Sequence, residues 1–364
     1  MLTTMFPSRT LAFYMGKAFV LRTFAVLAAL LLILQTLDLL GASGKILGHA
    51  GNGTPEIWYY VSLRLPQLIA RFLPFSVLLG TLITLSTLNQ NSEIVSMKAA
   101  GLSAHQVLTP LFIASLCIAL VSFAFNDRVV SRANATLTRW QKVDYGTLPT
   151  DRKAQVNVWV RQGDDLINAG VVTGNGPHTQ LATVTIYDRI GGSLKSMINA
   201  KSAHLVGDTW ELQNVRRFDV VTGTATTMPT MLFGKGIRSD QFTLAAVDSA
   251  NHSFHSLWNA IDELKAAGRP TGALTAGLWH KISGPLSTLL MPLLGAVAGF
   301  GIARSGKLFV RAVTGMALGF AYFVADNFGL AMGNLGAYPP LLAAWGPFFL
   351  FLLIGEAVLV HTEE

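Results

Sequence analysis

Few residues in this chain are of types and spacings that could do chemistry. There is no His-Glu-x-x-His, no pair of cysteines for a metal, and no Gly-x-Ser-x-Gly nucleophile turn. Gly301-Ile302-Ala303-Arg304-Ser305-Gly306-Lys307-Leu308 approaches a phosphate-binding loop, but Leu308 stands where a hydroxyl should hold Mg²⁺. It also joins two apolar runs instead of a strand and a helix, so it reads as a basic hairpin. Asp38, Asp326 and Glu356 are the ionisable groups deepest in apolar sequence, where a charge needs a polar partner or water. Asp38 and Glu356 fall near the ends of their runs. Asp326 is more embedded and is the candidate for a structural or gating polar contact. Cys117, the single cysteine, lies in an apolar run and reads as a small buried hydrophobe.

Recognition is better served by Asn91-Ser92-Glu93-Ile94-Val95-Ser96-Met97-Lys98-Ala99-Ala100-Gly101. Ser92 is expected to cap a short helix with Glu93 in its first turn, where an anion suits the helix dipole. Ile94, Met97 and Gly101 then share one side, and Gly101 can end the helix. Such a helix is either a connector or a docking element for another subunit.

The elements around it follow from hydropathy. The chain is 51% hydrophobic and 13% charged, against about a quarter charged in soluble domains. Charge concentrates between Asn126 and Arg269, which hold 16 of the 27 Lys and Arg and 13 of the 20 Asp and Glu. Six runs approach the roughly 20 residues that span a bilayer: Ala18–Leu40, Phe72–Leu88, Val107–Phe125, Ile282–Ala303, Phe309–Met332 and Leu341–Val360. The first is too long for a signal-peptide core and is read as a retained helix. Its basic flank, with Lys98, Arg304, Lys307 and Arg311, sets both termini in the cytoplasm. The net charge of +7 is then explained by cytoplasmic loops and anionic lipid, and no nucleic acid is expected.

The expected organisation is residues 1–125 as membrane helices one to three, with the short helix at about 91–101. Residues 126–280 form an extracytoplasmic all-β, jelly-roll-like domain with flanking helices, and 281–364 supply helices four to six. Strands are expected at Val156–Val160, Asp165–Val172, Ala182–Tyr187, Ser193–Ala200, Ser202–Val206, Trp210–Val220 and Arg238–Ala246, between Gly-rich turns. Asp127–Lys142 reads as a helix, and Ser253–Ala267 as an amphipathic helix stopped by Gly268. Gly295-x-x-x-Gly299 and Gly315-x-x-x-Gly319 allow close helix approach, either between helices four and five or along a seam to a partner.

The segment Ser92–Gly101 resembles the signature of the LptF/LptG family, the permease subunits of the lipopolysaccharide export ABC transporter. Phe72-Leu73-Pro74-Phe75 with Leu78-Leu79-Gly80, Trp279-His280-Lys281 before Pro285-Leu286, Arg311-Ala312-Val313-Thr314-Gly315, and Phe323-Val324-Ala325-Asp326 extend the resemblance over nearly the whole chain. The pattern, with Asp38 near the end of helix one, is nearer the LptG side than the LptF side.

The resemblance implies a noncatalytic permease in the bacterial inner membrane, with its β domain periplasmic. It would pair with an LptF-like permease above an LptB-like cytoplasmic ATPase dimer that holds the ATP and Mg²⁺. No cofactor of its own is implied. An LptC-like single-pass protein and an LptA-like periplasmic bridge would receive the lipopolysaccharide. Glu93, Ile94, Met97 and Lys98 would contact the ATPase. The family's lysines in helix one are absent between Gln35 and Ala42, so Lys45, Arg64, Arg71, Arg128, Arg132 and Arg139 become the candidates for lipid phosphate contacts. The rival classes are a membrane-embedded enzyme acting on lipid-linked substrates and a scaffold for envelope assembly. The enzyme would need a cluster of ionisable residues at one membrane face, and the sequence shows none.

Overall fold

The computed structural model describes residues 8–149, 151, 154–174, 176–243, 247–266, 268–299 and 308–363. They form two compact units, one of 1–43, 54–134 and 249–364, the other of 44–53 and 135–248. The near phosphate-loop at Gly301–Lys307 and the basic residues Arg304 and Lys307 lie outside the described residues.

The first unit is helical: α1 (Arg9–Gly48) up to Ser43, α2 (Thr54–Gln90), α3 (Glu93–Ala99), and α4 (Ala104–Phe125) continued by a π turn (Asn126–Val130) into the start of α5 (Ser131–Lys142), whose residues from Ala135, like those of α1 from Gly44, belong to the second unit. Among the described residues five helices are long and apolar enough to cross a membrane: Arg9–Gly48, Thr54–Gln90, Ala104–Lys142, Val313–Asn334 and Pro340–Ala357. Helices suit a bilayer because each backbone N–H and C=O finds its partner within the same segment.

The expected fourth span, Ile282–Ala303, is not one continuous helix. Its described part begins at Gly272 and is split into α8 (Gly272–Leu286), a 3-10 turn at Ser287–Leu289 and α9 (Leu290–Gly299). Pro292 cannot donate to the carbonyl four residues back, which is Thr288, and so loosens the ladder there. Ser287 and Thr288 hydroxyls bond back to Gly284 O at 2.6 Å and Pro285 O at 2.8 Å, which steadies the break.

Glycines set the closest helix approaches. A Cβ on Gly80 would sit 2.3 Å from Thr23 Oγ1 and 2.9 Å from Thr23 Cα, so α2 lies directly against the backbone of α1. Gly295 and Gly319 meet Thr81 and Leu78 of α2. Helix two therefore lies against both glycine motifs of the sequence, which were expected to face each other or a partner. The α10 helix (Leu308–Asn334) and α11 (Pro340–Glu363) complete this unit with α7 (Phe254–Ala266). Buried Leu257, Ile261 and Leu264 give α7 the expected apolar stripe, and Gly268, at φ +69°, ends it.

The second unit is a six-stranded antiparallel meander in the order β1-β2-β3-β4-β5-β6, not closed into a barrel. The strands are β1 (Gln155–Gln162), β2 (Asp165–Thr173), β3 (Gln180–Ile190), β4 (Ser193–Val206), β5 (Thr209–Asp219) and β6 (Ala225–Phe233). The all-β insert is as expected, and its winding is the simplest possible, without a Greek-key crossover. The two runs expected at Ser193–Ala200 and Ser202–Val206 are one strand. The strand expected at Arg238–Ala246 is absent from its described residues: Asp240–Thr243 is instead the short helix α6. Its Phe242 packs edge-on against Trp210 at 5.2 Å, and Trp210 Nε1 donates to Ile237 O at 2.9 Å. Capping the core this way leaves Phe242 fully buried. Sequence reasoning missed β6 because Pro229 and its threonines weaken the pattern. Pro229 is tolerated because β6 is an edge strand.

One sheet encloses a core because every strand is interrupted in the same row. Pairing skips Asn157, Gly170, Thr183, Lys201, Asn214 and Pro229, which lie opposite one another across the six strands. Asn157, Thr183 and Asn214 take positive φ of 51°, 54° and 53°. Across this row the inward alternation slips by one residue, from Ala169 to Val172, Leu181 to Val184, Ala200 to Ala203 and Leu212 to Val215. These are not bulges, because no strand gains a residue over its partner there: one residue of every strand leaves the ladder together, three of them in the left-handed region. Since all strands share the row, register is kept and the sheet creases into two wings. At the β5–β6 turn, Asp219 accepts from Val221 N and Thr222 N, both at 3.0 Å. The Thr222 amide above all holds this carboxyl below its ordinary value.

Two outcomes follow from this packing. Gly80→Ala forces α1 and α2 apart and should cost about 1–3 kcal/mol, seen as a lower unfolding temperature in detergent. Thr183→Gly relieves a β-branched residue from the left-handed region, a cost of about 1–2 kcal/mol that the added chain entropy of Gly only partly offsets. It should raise the melting temperature followed by the β signal in circular dichroism, and a lower one would contradict the crease.

Candidate functional site

The short helix α3 is built by its ends. Ser92 adopts φ 60° and its side chain makes no cap, contrary to expectation. At the other end Gly101, at φ +87°, donates to Lys98 O at 2.9 Å and Leu102 donates to Met97 O at 3.1 Å. This paired bonding satisfies the last carbonyls and turns the chain. Ser103 and Gln106 then make a reciprocal capping box that starts α4.

Ile94 and Met97 are 3% and 7% exposed and join the core of the helical unit. They anchor α3 to its own chain, which corrects their reading as contacts for another subunit: apolar residues three apart on a short helix serve the nearest core first. The outward side carries Val95, 57% exposed, with Ser96 and Lys98, while Glu93 is half-buried at the margin. Val95 was missed, though the inward Ile94–Met97 spacing already placed it opposite. Glu93 Oε1 accepts from Asn91 Nδ2 at 3.2 Å and from Tyr14 OH of α1 at 3.4 Å. Nearby in sequence, His105 Nε2 lies 3.2 Å from Glu356 Oε2, so the first turn of α4 is tied to α11. His105 gave no sequence signal.

A second polar station joins α1 and α2 near their other ends. Asp38 receives Arg64 Nε at 3.0 Å and Nη2 at 2.8 Å, and Tyr60 OH at 2.7 Å. Arg64 Nη1 also donates to Gln67 Oε1 at 2.7 Å. Arg64 was expected to meet lipid phosphate. The structure instead gives its fork to a carboxylate on the neighbouring helix, a bidentate geometry that suits guanidinium. Along α1 the 24 residues from Tyr14 to Asp38 rise about 36 Å, more than the roughly 30 Å of a hydrocarbon core. With Glu93 near one end of this span, Asp38 lies near the other, as its place at the end of the apolar run suggests.

The other cations are dispersed. Arg71, Arg128 and Arg132 are exposed on the helical unit. In the second unit Lys45 is exposed and Arg139 Nη2 donates to Asp151 O at 3.0 Å.

Asp326 does sit inside a helix bundle. Its Oδ2 lies 3.0 Å from His280 Nε2, linking α10 to α8. Each residue stands eight positions from a helix end, Asn334 and Gly272 respectively, or about 12 Å. Tyr322, one turn away on α10, is buried. The chemistry of these stations is polar contact between helices, an ion pair for Arg64 and Asp38 and histidine–carboxylate hydrogen bonds for the other two; no group of three or more metal-ligating side chains occurs among the described residues.

The fold and these stations define a multi-pass membrane protein with a β domain inserted between two helical halves and a short helix displayed at one end of them. Residues 13–361 match the lipopolysaccharide export system permease LptF/LptG family, and the chain belongs to that family. It is similar to the lipopolysaccharide export system permease protein LptG of Escherichia coli strain K12, 28% identical over 370 residues covering 98% of this chain and 99% of that protein. It is also similar to the LptG protein of Haemophilus influenzae, 25% identical over 359 residues covering 95% and 96%.

Arg64→Ala leaves Asp38 without its strongest partner and should cost about 1–3 kcal/mol. Adding Asp38→Asn should cost much less than the sum of the single changes, as the double-mutant cycle of a true pair requires. Additive losses in unfolding experiments would show that the two do not act together.

Proposed function

We propose that this chain is a permease subunit that moves lipopolysaccharide out of the bacterial inner membrane, driven by a separate ATPase. The observation that carries the reading is α3: a helix pinned from behind by Ile94 and Met97 that displays Val95, Ser96 and Lys98 outward with Glu93 at its edge. Family membership supplies the substrate class. In this reading α3 is on the cytoplasmic side and seats in a dimeric ATPase of the LptB type, which holds ATP and Mg²⁺. Both termini are cytoplasmic and the β domain is periplasmic.

The second half of the transport cavity comes from an LptF-like subunit. Support lies in α1, whose most apolar window is only 17% buried. It exposes Leu32, Ile33, Leu37 and Leu40 on the way to the Asp38 station. Such a surface suits acyl chains or a partner's helices. Arg71, Arg128 and Arg132 would meet lipid phosphates, with Arg64 holding α1 and α2 together through Asp38. The lipid would leave through the β domain toward an LptC-like protein and an LptA-like bridge.

Glu93→Lys should leave the amount of inserted protein unchanged while reducing both ATPase co-purification and lipopolysaccharide export at least tenfold. Normal co-purification together with normal export would reject α3 as the coupling element.

A further inference from the structure

The crease leaves each wing of the sheet with an outer face, and on the wing that holds the β1–β2 turn that face is not a neutral surface. Trp159, Asn168, Thr185, Asn199, Arg216 and Thr227 stand opposite one another in one row across all six strands. The next row outward runs from Arg161 through Tyr187 to Phe218. Neither row contains an acidic residue. Trp159 and Tyr187 stack at 5.9 Å with planes inclined by 15°, and Trp159 is 50% exposed.

The polar groups beside this aromatic step are held in place. Asn157 Oδ1 accepts from Trp159 Nε1 at 3.0 Å and from Asn168 Nδ2 at 2.7 Å. Asn199 Oδ1 accepts from Thr185 Oγ1 at 3.0 Å. These bonds fix the amide orientations and leave Asn168 Oδ1 as an acceptor and Asn199 Nδ2 as a donor for an outside partner.

We infer that this face binds the anionic saccharide portion of the exported lipid; the inference rests on the export reading for the source of the ligand. A sugar ring has a flat face of C–H groups, which an aromatic plate can cover, and a rim of hydroxyls that both donate and accept. Fixed amides next to an exposed aromatic pair match that combination. Arg216, with exposed Lys201 on the crease row, adds charge complementary to phosphate or carboxylate substituents, whereas Arg161 is engaged by Asp164 at 3.8 Å and by Gly163 O at 2.9 Å. A protein partner matches less well, because it would bury the two amides on both sides and require a hydrogen bond for every remaining valence.

The test uses the full chain in detergent micelles and calorimetric titration with phosphorylated oligosaccharide obtained by complete deacylation of lipopolysaccharide. Binding is expected, weakened several-fold by phosphatase treatment of the sugar. Trp159→Ala and Asn199→Ala should each weaken it about tenfold at unchanged melting temperature, and Arg216→Ala should remove most of the phosphate dependence. No binding, or equal binding by wild type and Trp159→Ala, overturns the proposal. So does Trp159-dependent binding of phosphatidylglycerol vesicles without oligosaccharide binding, which would make the face a membrane contact. Saccharide binding by the wild-type chain, with lipopolysaccharide export unchanged when that chain is depleted from cells, would refute the export reading alone.

Discussion

A backbone amide in hydrocarbon has no water to bond, and that constraint shapes the helical unit. Its spans close their hydrogen bonds internally, so side chains decide only how helices meet and where polarity is admitted. Gly80 brings α2 onto the backbone of α1, and Gly295 and Gly319 bring two further helices onto α2. Polar pairs are then placed where a single helix could not shelter a charge alone. Arg64 crosses to Asp38, His280 to Asp326 and His105 to Glu356, each from one helix to another. Each pair fixes one helix against another, so these pairs also specify which helices are adjacent.

The inserted domain solves a different problem. A six-stranded meander has one inner face and no second sheet to cover it. The shared row of interruptions lets it fold over its own core, with Ile237 and Phe242 completing that core. The same row turns a set of polar and aromatic side chains outward and, through Asn157, braces two of them. Fold and surface chemistry thus have one origin in the crease. The positive φ of Thr183 is the part of that arrangement least favoured by residue type.

Much of this was legible in sequence because it depends on local period. Apolar runs marked the spans, alternation marked five strands, and the stripe of Leu257, Ile261 and Leu264 with Gly268 behind it marked α7. The displayed helix at Glu93 was legible too, from a short polar segment between long apolar ones. What failed did so for identifiable reasons. Ser92 has the composition of a cap but a left-handed backbone that turns its hydroxyl away from that role. Ile94 and Met97 were assigned outward although their spacing is that of an anchored face. The strand expected after Arg238 became a helix because Phe242 has a hole to fill beneath Trp210.

The sequence by itself therefore determined the class of solvent for each segment, the order of helices and strands, and the family, since these follow from composition and spacing along the chain. Only the tertiary structure decided that Arg64 belongs to Asp38, that His105 reaches Glu356, and that six interruptions in six strands form one line. Those facts join residues from about a dozen to some 250 positions apart, and no local pattern encodes them. They exist because a polar side chain between helices takes whichever partner packing brings near, and because bent strands stay paired only if they bend in the same row.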